Sequence, residues 1–516
     1  MGPWMLQVCI ALMLMTITVH VVYVCLLHKR RRRKLSRASL LQAPGPVGLP
    51  LIGNFLYFVG PLRRDPHRGL ARFAEAYGPV ASFRPGKARD VVVVSSPGAA
   101  REALAVHDVA LAARPVLDGA RALAHGAGSV FFLPSSSALW RRHRATVGAH
   151  LSSGRGLGAA RPARDRAARR LAEHLRACAC SGGGAAVAVG EPVLATVLNG
   201  VSGALFSREV VDIRALDGTQ VFKDIMVELT AESARPNISD AFPCLAPLDL
   251  FGCRRSFSRS FAKLYKFLDE EFVEPRLASG ESHGDMLDAI LAQYAKSQIT
   301  RSEITKFLAD MFISGSDTST VTVQWAMAEL LRHPEKMSKV RAELAASLGS
   351  KDFVEDGDLD KLPYLQAVVK EALRLHPAVP LLPREVVAGG VSLGGFPVPI
   401  GACVAINLWA IGRDRDAWPR PEEFMPERFL GDRAAAAAGF RGSPDFAYKP
   451  FGAGRRVCPG MDLAARFVPH LLASVLHRIE WRLPGGMRPE DVDLTEHHRT
   501  TLDLRTPLRA VPVFVA

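Results

Sequence analysis

Apolar side chains fill Met5 to Leu27, where only Gln7, Thr16, Thr18 and His20 are clearly polar. As an α-helix this 23-residue run is about 34 Å long, enough to cross a bilayer. No Lys or Arg precedes it, whereas Lys29, Arg30, Arg31, Arg32, Arg33, Lys34 and Arg37 come after it. The positive-inside rule therefore predicts one uncleaved span with the body of the chain in the cytosol. Pro44 to Asn54 holds three prolines and three glycines, which exclude helix and read as a short rigid spacer. Beyond it the pattern is mostly helical. In the longest element, Thr300 to His333, Ile304, Phe307, Leu308, Met311 and Phe312 recur at i, i+3, i+4. Thr300 and Glu303 read as its capping box, and Pro334 ends it. A second helix is predicted from Pro363 to His376, and a third after Cys458 to about Ile479. Residues 178–187 read as a surface loop. Val391 to Leu393, the Gly394-Gly395 turn and Cys403 to Leu408 predict a small sheet, with a last strand pair near Thr501 to Leu508. The expected architecture is mainly α with a smaller β region. It comprises a span over 1–28, a basic and proline-rich hinge over 29–54, and one catalytic domain over 55–516.

Composition sharpens this in two places. The net charge is +14, but residues 1–40 supply +7 of it with no Asp or Glu. The basic excess thus belongs first to membrane topology, and no nucleic-acid partner is expected. Eight cysteines show no paired spacing suited to zinc, and a chain this long and cysteine-poor is expected in a reducing compartment. The Asn237-Ile238-Ser239 sequon then has no luminal enzyme to meet. The Ala434 to Ala438 run has no assigned role.

Two stretches carry candidate chemistry. Ser314-Gly315-Ser316-Asp317-Thr318-Ser319 is poor helix-forming material inside an apolar helix, and such a local conflict is where function is expected. Small residues there admit a plate-like cofactor and O2, and Asp317 and Thr318 can relay protons through water. The competing account is a kink made by side-chain-to-backbone hydrogen bonds. The second stretch is Phe451 to Gly460, with Cys458 near its end. Gly452 and Gly454 allow close backbone approach to a flat cofactor, and Arg456 offers a cation to a cofactor carboxylate. The helix beginning after Pro459 favours a thiolate at Cys458, and thiolate on haem iron favours O–O cleavage. The competing account is a buried free cysteine. Elsewhere, Trp140 and Arg144 share one helical face, as do Glu371 and Arg374.

The spacing Phe451-x-x-Gly454-x-Arg456-x-Cys458-x-Gly460 resembles the haem-binding signature of the cytochrome P450 superfamily at every fixed position. The resemblance runs from Pro44 to Pro512 and implies a membrane-anchored haem-thiolate monooxygenase. It implies heme b with Cys458 as metal ligand, and cofactor contacts from Trp140, Arg144, Arg384, Phe451 and Arg456. Asp317 and Thr318 would be catalytic. Ser314 departs from the usual alanine or glycine. Arg428 of Pro426-Glu427-Arg428-Phe429 would complete a Glu371–Arg374–Arg428 network. No flavin-type module is present in the sequence, so electrons are expected from NADPH-cytochrome P450 reductase, docking near Arg141, Arg142, Lys449 and Arg455. The resemblance also implies the endoplasmic reticulum membrane, with a single pass and contact with membrane lipid.

Phe312 to Thr318, Trp325 to Leu331 and Pro247 to Leu250 look like the plant microsomal branch that hydroxylates monoterpenols and diterpenes. A small hydrophobic terpenoid is therefore expected in plant specialised metabolism. The alternatives are a flavonoid or phenylpropanoid hydroxylase, and, from another class, a Cys-Pro haem-binding sensor. Val116, Leu117, Phe131, Phe222, Phe312, Ala378 to Leu382 and Arg499 to Thr501 are expected around the substrate. Ser314 and Thr500 could each hold one oxygen of it, and Arg499 is expected to face solvent.

Overall fold

The computed structural model describes residues 42–515, apart from 61, 63, 182–183, 214–218, 236 and 432–438. The expected membrane span, the basic run behind it and the alanine run lie outside the described residues. No helix among the described residues is long and apolar enough to cross a membrane.

The helices that build the site are α1 (Pro66–Tyr77), α2 (Ala138–Leu151), α3 (Gly190–Phe206), α4 (Cys253–Leu268), α5 (Arg301–Arg332), α6 (Pro363–Leu375) and α7 (Met461–Leu476). Helix α5 is the spine. It starts where predicted, with the Glu303 N–H donating to Thr300 Oγ1 at 3.3 Å and the Thr300 N–H donating to Glu303 Oε2 at 2.7 Å. Its apolar side chains point all round, so it is covered on most sides. Small residues bring its neighbours close. A Cβ on Gly315 would lie 3.4 Å from Val201 of α3, and one on Gly200 of α3 would strike the Phe467 ring of α7 at 2.2 Å.

Helix α6 carries the buried ion network. Arg374 donates twice to Glu371, at 2.7 and 2.8 Å, and Arg428 Nε reaches the same carboxylate at 3.2 Å. The Met425 N–H adds a fourth donor at 2.8 Å, so this buried charge is satisfied on every side.

Four strands form the larger sheet: β1 (Val80–Phe83), β2 (Val91–Val94), β3 (Leu381–Glu385) and β4 (Cys403–Asn407), in the order β1-β2-β4-β3. Only the β2–β4 pair is parallel. The register Arg384↔Val404 fixes which side of the sheet Arg384 faces. The Gly394-Gly395 turn closes a separate two-residue hairpin. Near the C-terminus, β5 (Glu496–His498) and β6 (Leu502–Leu504) pair antiparallel, Leu502 opposite His498.

Three boundaries differ from expectation. Residues 178–181 continue the helix Arg161–Ser181 instead of forming a loop, and Val187–Ala188 pairs with the strand Arg509–Phe514. Helix α7 stops at Leu476, because Ile479 begins a strand paired with the same Arg509–Phe514. The last hairpin lies upstream of its expected place, at 496–504. In the first two cases a distant strand partner decided the local structure, which periodicity alone does not reveal.

Candidate functional site

The loop before α7 is held from several sides. The Cys458 N–H donates to Phe451 O at 3.0 Å, closing the loop on itself. Arg144 Nη1 donates to Val457 O at 3.0 Å and Ser152 Oγ to Pro459 O at 3.0 Å, so α2 grips it from the opposite side. Gly454 has φ +71°, and a Cβ there would meet Asp108 Oδ1 at 2.2 Å, which is why only glycine fits. The loop presents Cys458 to a cavity of about 420 Å3 enclosed between it, α5, α2 and the sheet. Burial pushes the Cys458 thiol up, against the Gly460 N–H, Arg144 and Arg114, which pull it down.

Five arginines line this cavity: Arg235 pairs with Glu232, and the other four are Arg114, Arg144, Arg384 and Arg456. Arg456 spends its guanidinium on backbone carbonyls of Ala112 (2.6 Å), Val130 (3.2 Å), Phe131 (3.4 Å) and Leu133. Among the described residues Arg384 makes a single bond, to Pro383 O at 3.0 Å. Arg114 lies 3.6 Å from the centre of the Phe131 ring, and its Nε is buried without a partner. None of the four has a carboxylate within ion-pair distance among the described residues. Burial lowers all four, Arg384 and Arg456 to about 10, and Arg114 is lowered further by Arg384 and Arg456. Trp140, 8% exposed, packs between Arg144 and Arg456 with its indole N–H unpartnered. Buried cations without anions, beside an orphaned donor and a thiol, suit a flat dianionic cofactor such as haem.

Opposite Cys458, α5 presents Ser314, Gly315, Asp317 and Thr318 to the cavity. The helix is not broken there. Ser316, Thr318, Ser319, Thr320 and Thr322 each donate a hydroxyl to the carbonyl four residues back, at 2.6 to 3.1 Å. These bonds are the ones the competing account foresaw, and the segment stays helical through them. Thr318 is half-buried and its proton rests on Ser314 O, at 2.7 Å, so its oxygen faces outward as an acceptor. Asp317 accepts from the Thr501 hydroxyl. Burial raises the Asp317 carboxyl, while Thr501 and Arg499 pull it down.

Among the side chains expected around the substrate, Leu117, Phe131, Ala378, Leu382, Thr500 and Thr501 line the cavity. Phe312 does not; it is fully buried against Phe206 and Phe272. Val116 and Arg499 do not line it either, and the Phe222 side chain lies outside the described residues.

The sequence profile of the cytochrome P450 family matches residues 43–505. The chain belongs to the cytochrome P450 family. It is therefore an oxidoreductase, a monooxygenase that uses O2, a hydrophobic substrate and a redox partner. Its cofactor is haem iron with an axial cysteine thiolate. It is 43% identical over 493 residues to oryzalexin E synthase of Oryza sativa subsp. japonica, covering 94% of each chain. Ent-cassadiene C11-alpha-hydroxylase 1 of the same organism is 43% identical over 92% of this P450 and 93% of the relative. Geraniol 8-hydroxylase of Catharanthus roseus is 38% identical over 93% and 95%. Among solved structures, a zebrafish cytochrome P450 with progesterone has a TM-score of 0.71 at 28% identity, covering 87% of this chain and 99% of that one.

One P450 residue at the cavity and one bond carried no signal in the sequence. Arg114 sits in an ordinary Ala-Arg-Pro stretch. Thr501 is 184 positions from the acid it bonds.

Proposed function

We propose that this enzyme hydroxylates a terpenoid, with Cys458 as the iron ligand and Asp317 and Thr318 as the proton-delivering pair. The balanced reaction is R–H + O2 + NADPH + H+ → R–OH + H2O + NADP+. One observation carries the reading: a single cavity has Cys458 on one wall and the Ser314–Thr318 turn on the other. Arg114, Arg144, Arg384 and Arg456, with Trp140, would hold the haem carboxylates, and the Phe451 carbonyl braces the cysteine loop. Bound haem supplies the binding and reductive cleavage of O2. Asp317 exchanges protons with water, and the outward Thr318 oxygen orients the water that passes them on. Leu117, Val201, Leu205, Leu229, Met311 and Ile313 give the substrate an apolar wall, so burial drives binding at about 25 cal/mol per Å2. The names of the relatives favour a terpenoid occupant.

Electrons come from NADPH-cytochrome P450 reductase in this reading, with the exposed Arg141 and Arg455 on the docking face. The chain is anchored by residues 1–28 in the endoplasmic reticulum membrane, and residues 55–516 form the catalytic domain in the cytosol. Exposed Leu49, Leu51, Leu56, Leu248, Leu250 and Phe251 support a membrane-facing side. The two segments they come from meet where Phe55 packs on Phe242 at 5.2 Å.

Two measurements test the proposal. Cys458→Ala is expected to lose the thiolate-type carbon monoxide difference spectrum, and a retained spectrum refutes the ligand. High-spin titration with monoterpenols, diterpene olefins and flavanones at equal concentration, each tested for turnover as well, probes the substrate. Tight shifts and turnover from flavanones alone overturn the terpenoid reading.

A further inference from the structure

The acid on the cavity side of α5 is addressed from outside its own helix. Thr501 is 4% exposed, and its hydroxyl donates to Asp317 Oδ2. The other carboxylate oxygen has no hydrogen-bond partner among the described residues. The backbone around Thr501 is fixed on both sides. The Leu502 N–H donates to Ala378 O at 3.0 Å, and Trp325 of α5 donates its indole N–H to Leu502 O at 2.8 Å. Arg499 N–H donates to Thr501 O at 2.9 Å, which closes the tip of the β5–β6 hairpin. The root of the hairpin is anchored as well. Glu496 accepts from Arg68 at 2.6 Å and Trp409 at 2.9 Å, and pairs with the buried His67 at 2.9 Å. Thr501 is therefore a fixed donor, with little freedom to turn elsewhere.

We propose that Thr501 is a positioning residue for Asp317, holding one carboxylate oxygen on the hairpin while the other stays free to exchange protons toward the cavity. The proposal rests on the reading of Asp317 as a proton-delivering acid. One further charge on the hairpin acts on the same carboxyl. Arg499 favours its ionised form, while Asp503 of β6 is itself raised to about 6 by burial and then by Asp317. Arg499 makes no ion pair among the described residues, so its charge is shared between the two acids. The neighbouring Thr500 lines the cavity, which puts substrate contact and acid positioning on adjacent residues of one hairpin tip.

The sign of the effect is fixed. A hydroxyl donor to a carboxylate stabilises the charged form, so removing it raises the Asp317 pKa. The pH midpoint that Asp317 gives to coupling must then move up, by about one to two units for a bond to a charged group. The experiment measures product and H2O2 per NADPH across the neutral pH range, on full-length enzyme reconstituted with reductase. Each variant is first checked for its carbon monoxide spectrum and its substrate spin shift. Thr501→Val is expected to raise peroxide several-fold and shift the midpoint up, while Thr501→Ser restores both. Arg499→Gln shifts the midpoint the same way and serves if Thr501→Val does not fold. In an Asp317→Asn background, Thr501→Val is expected to add nothing. If Asp317→Asn itself leaves coupling and its pH profile unchanged, the proton-delivery reading falls, and this inference with it. If Asp317→Asn uncouples but Thr501→Val and Arg499→Gln leave the midpoint in place, only this inference is overturned.

Discussion

His143 sits on α2 between Trp140 and Arg144, fully buried, with neither ring nitrogen bonded. It stacks on Phe307 of α5 at 4.6 Å. Burial lowers its pKa from 6.5 to about 4, despite Asp310 and Glu303. The folded pKa lies below the unfolded one, so the unfolded chain binds a proton in that window and the folded chain does not. Its contribution is complete above about 6.5 and drains away as pH falls toward about 4, by roughly 3 kcal/mol. Denaturant unfolding at neutral and mildly acid pH checks this: His143→Phe is expected to lose less stability on acidification than the parent. Equal losses refute it. At this scale the sequence was readable wherever chemistry imposes fixed spacing, as at Phe451 to Cys458 or at Trp140 and Arg144. It was unreadable for His143, for Arg114 and for the Thr501–Asp317 bond, which depend on what a distant segment brings alongside them.

At the scale of elements, α5 shows why helix-poor residues need not break a helix. Five hydroxyls bond back to carbonyls one turn earlier, so Ser314 to Ser319 stays helical while keeping small, polar surface at the cavity. The capping box and the stop before Pro334 were legible because they depend on neighbours a few residues away. The ends of α7 and of the helix Arg161–Ser181 were not, since pairing with the distant strand Arg509–Phe514 directs the chain beyond them. Close packing supplies a further test. Gly200→Ala places a methyl against the Phe467 ring and is expected to cost about 1–3 kcal/mol. Combining it with Phe467→Leu is expected to recover part of that loss in thermal unfolding. Additive losses in the double variant would show that the two residues do not share the contact.

At the scale of the whole molecule, one large core draws on α5, α3, α6 and α7 together. A truncation starting near Ala43 is expected to leave the membrane fraction in part and still bind haem. Adding Leu248→Ser, Leu250→Ser and Phe251→Ser is expected to release the remainder, as fractionation and flotation with lipid vesicles would measure. Loss of haem on truncation would mean the anchor and body are not independent. Four of the arginines around the cavity have a consequence for the life of the protein in a cell. A chain that folds ahead of its porphyrin confines four buried cations with no carboxylate in ion-pair reach among the described residues, so its fold is weakest at that moment. Binding only the folded form, the porphyrin draws the population out of reach of proteases by mass action. The steady-state abundance of this enzyme is thereby tied to the porphyrin supply of the tissue that makes it.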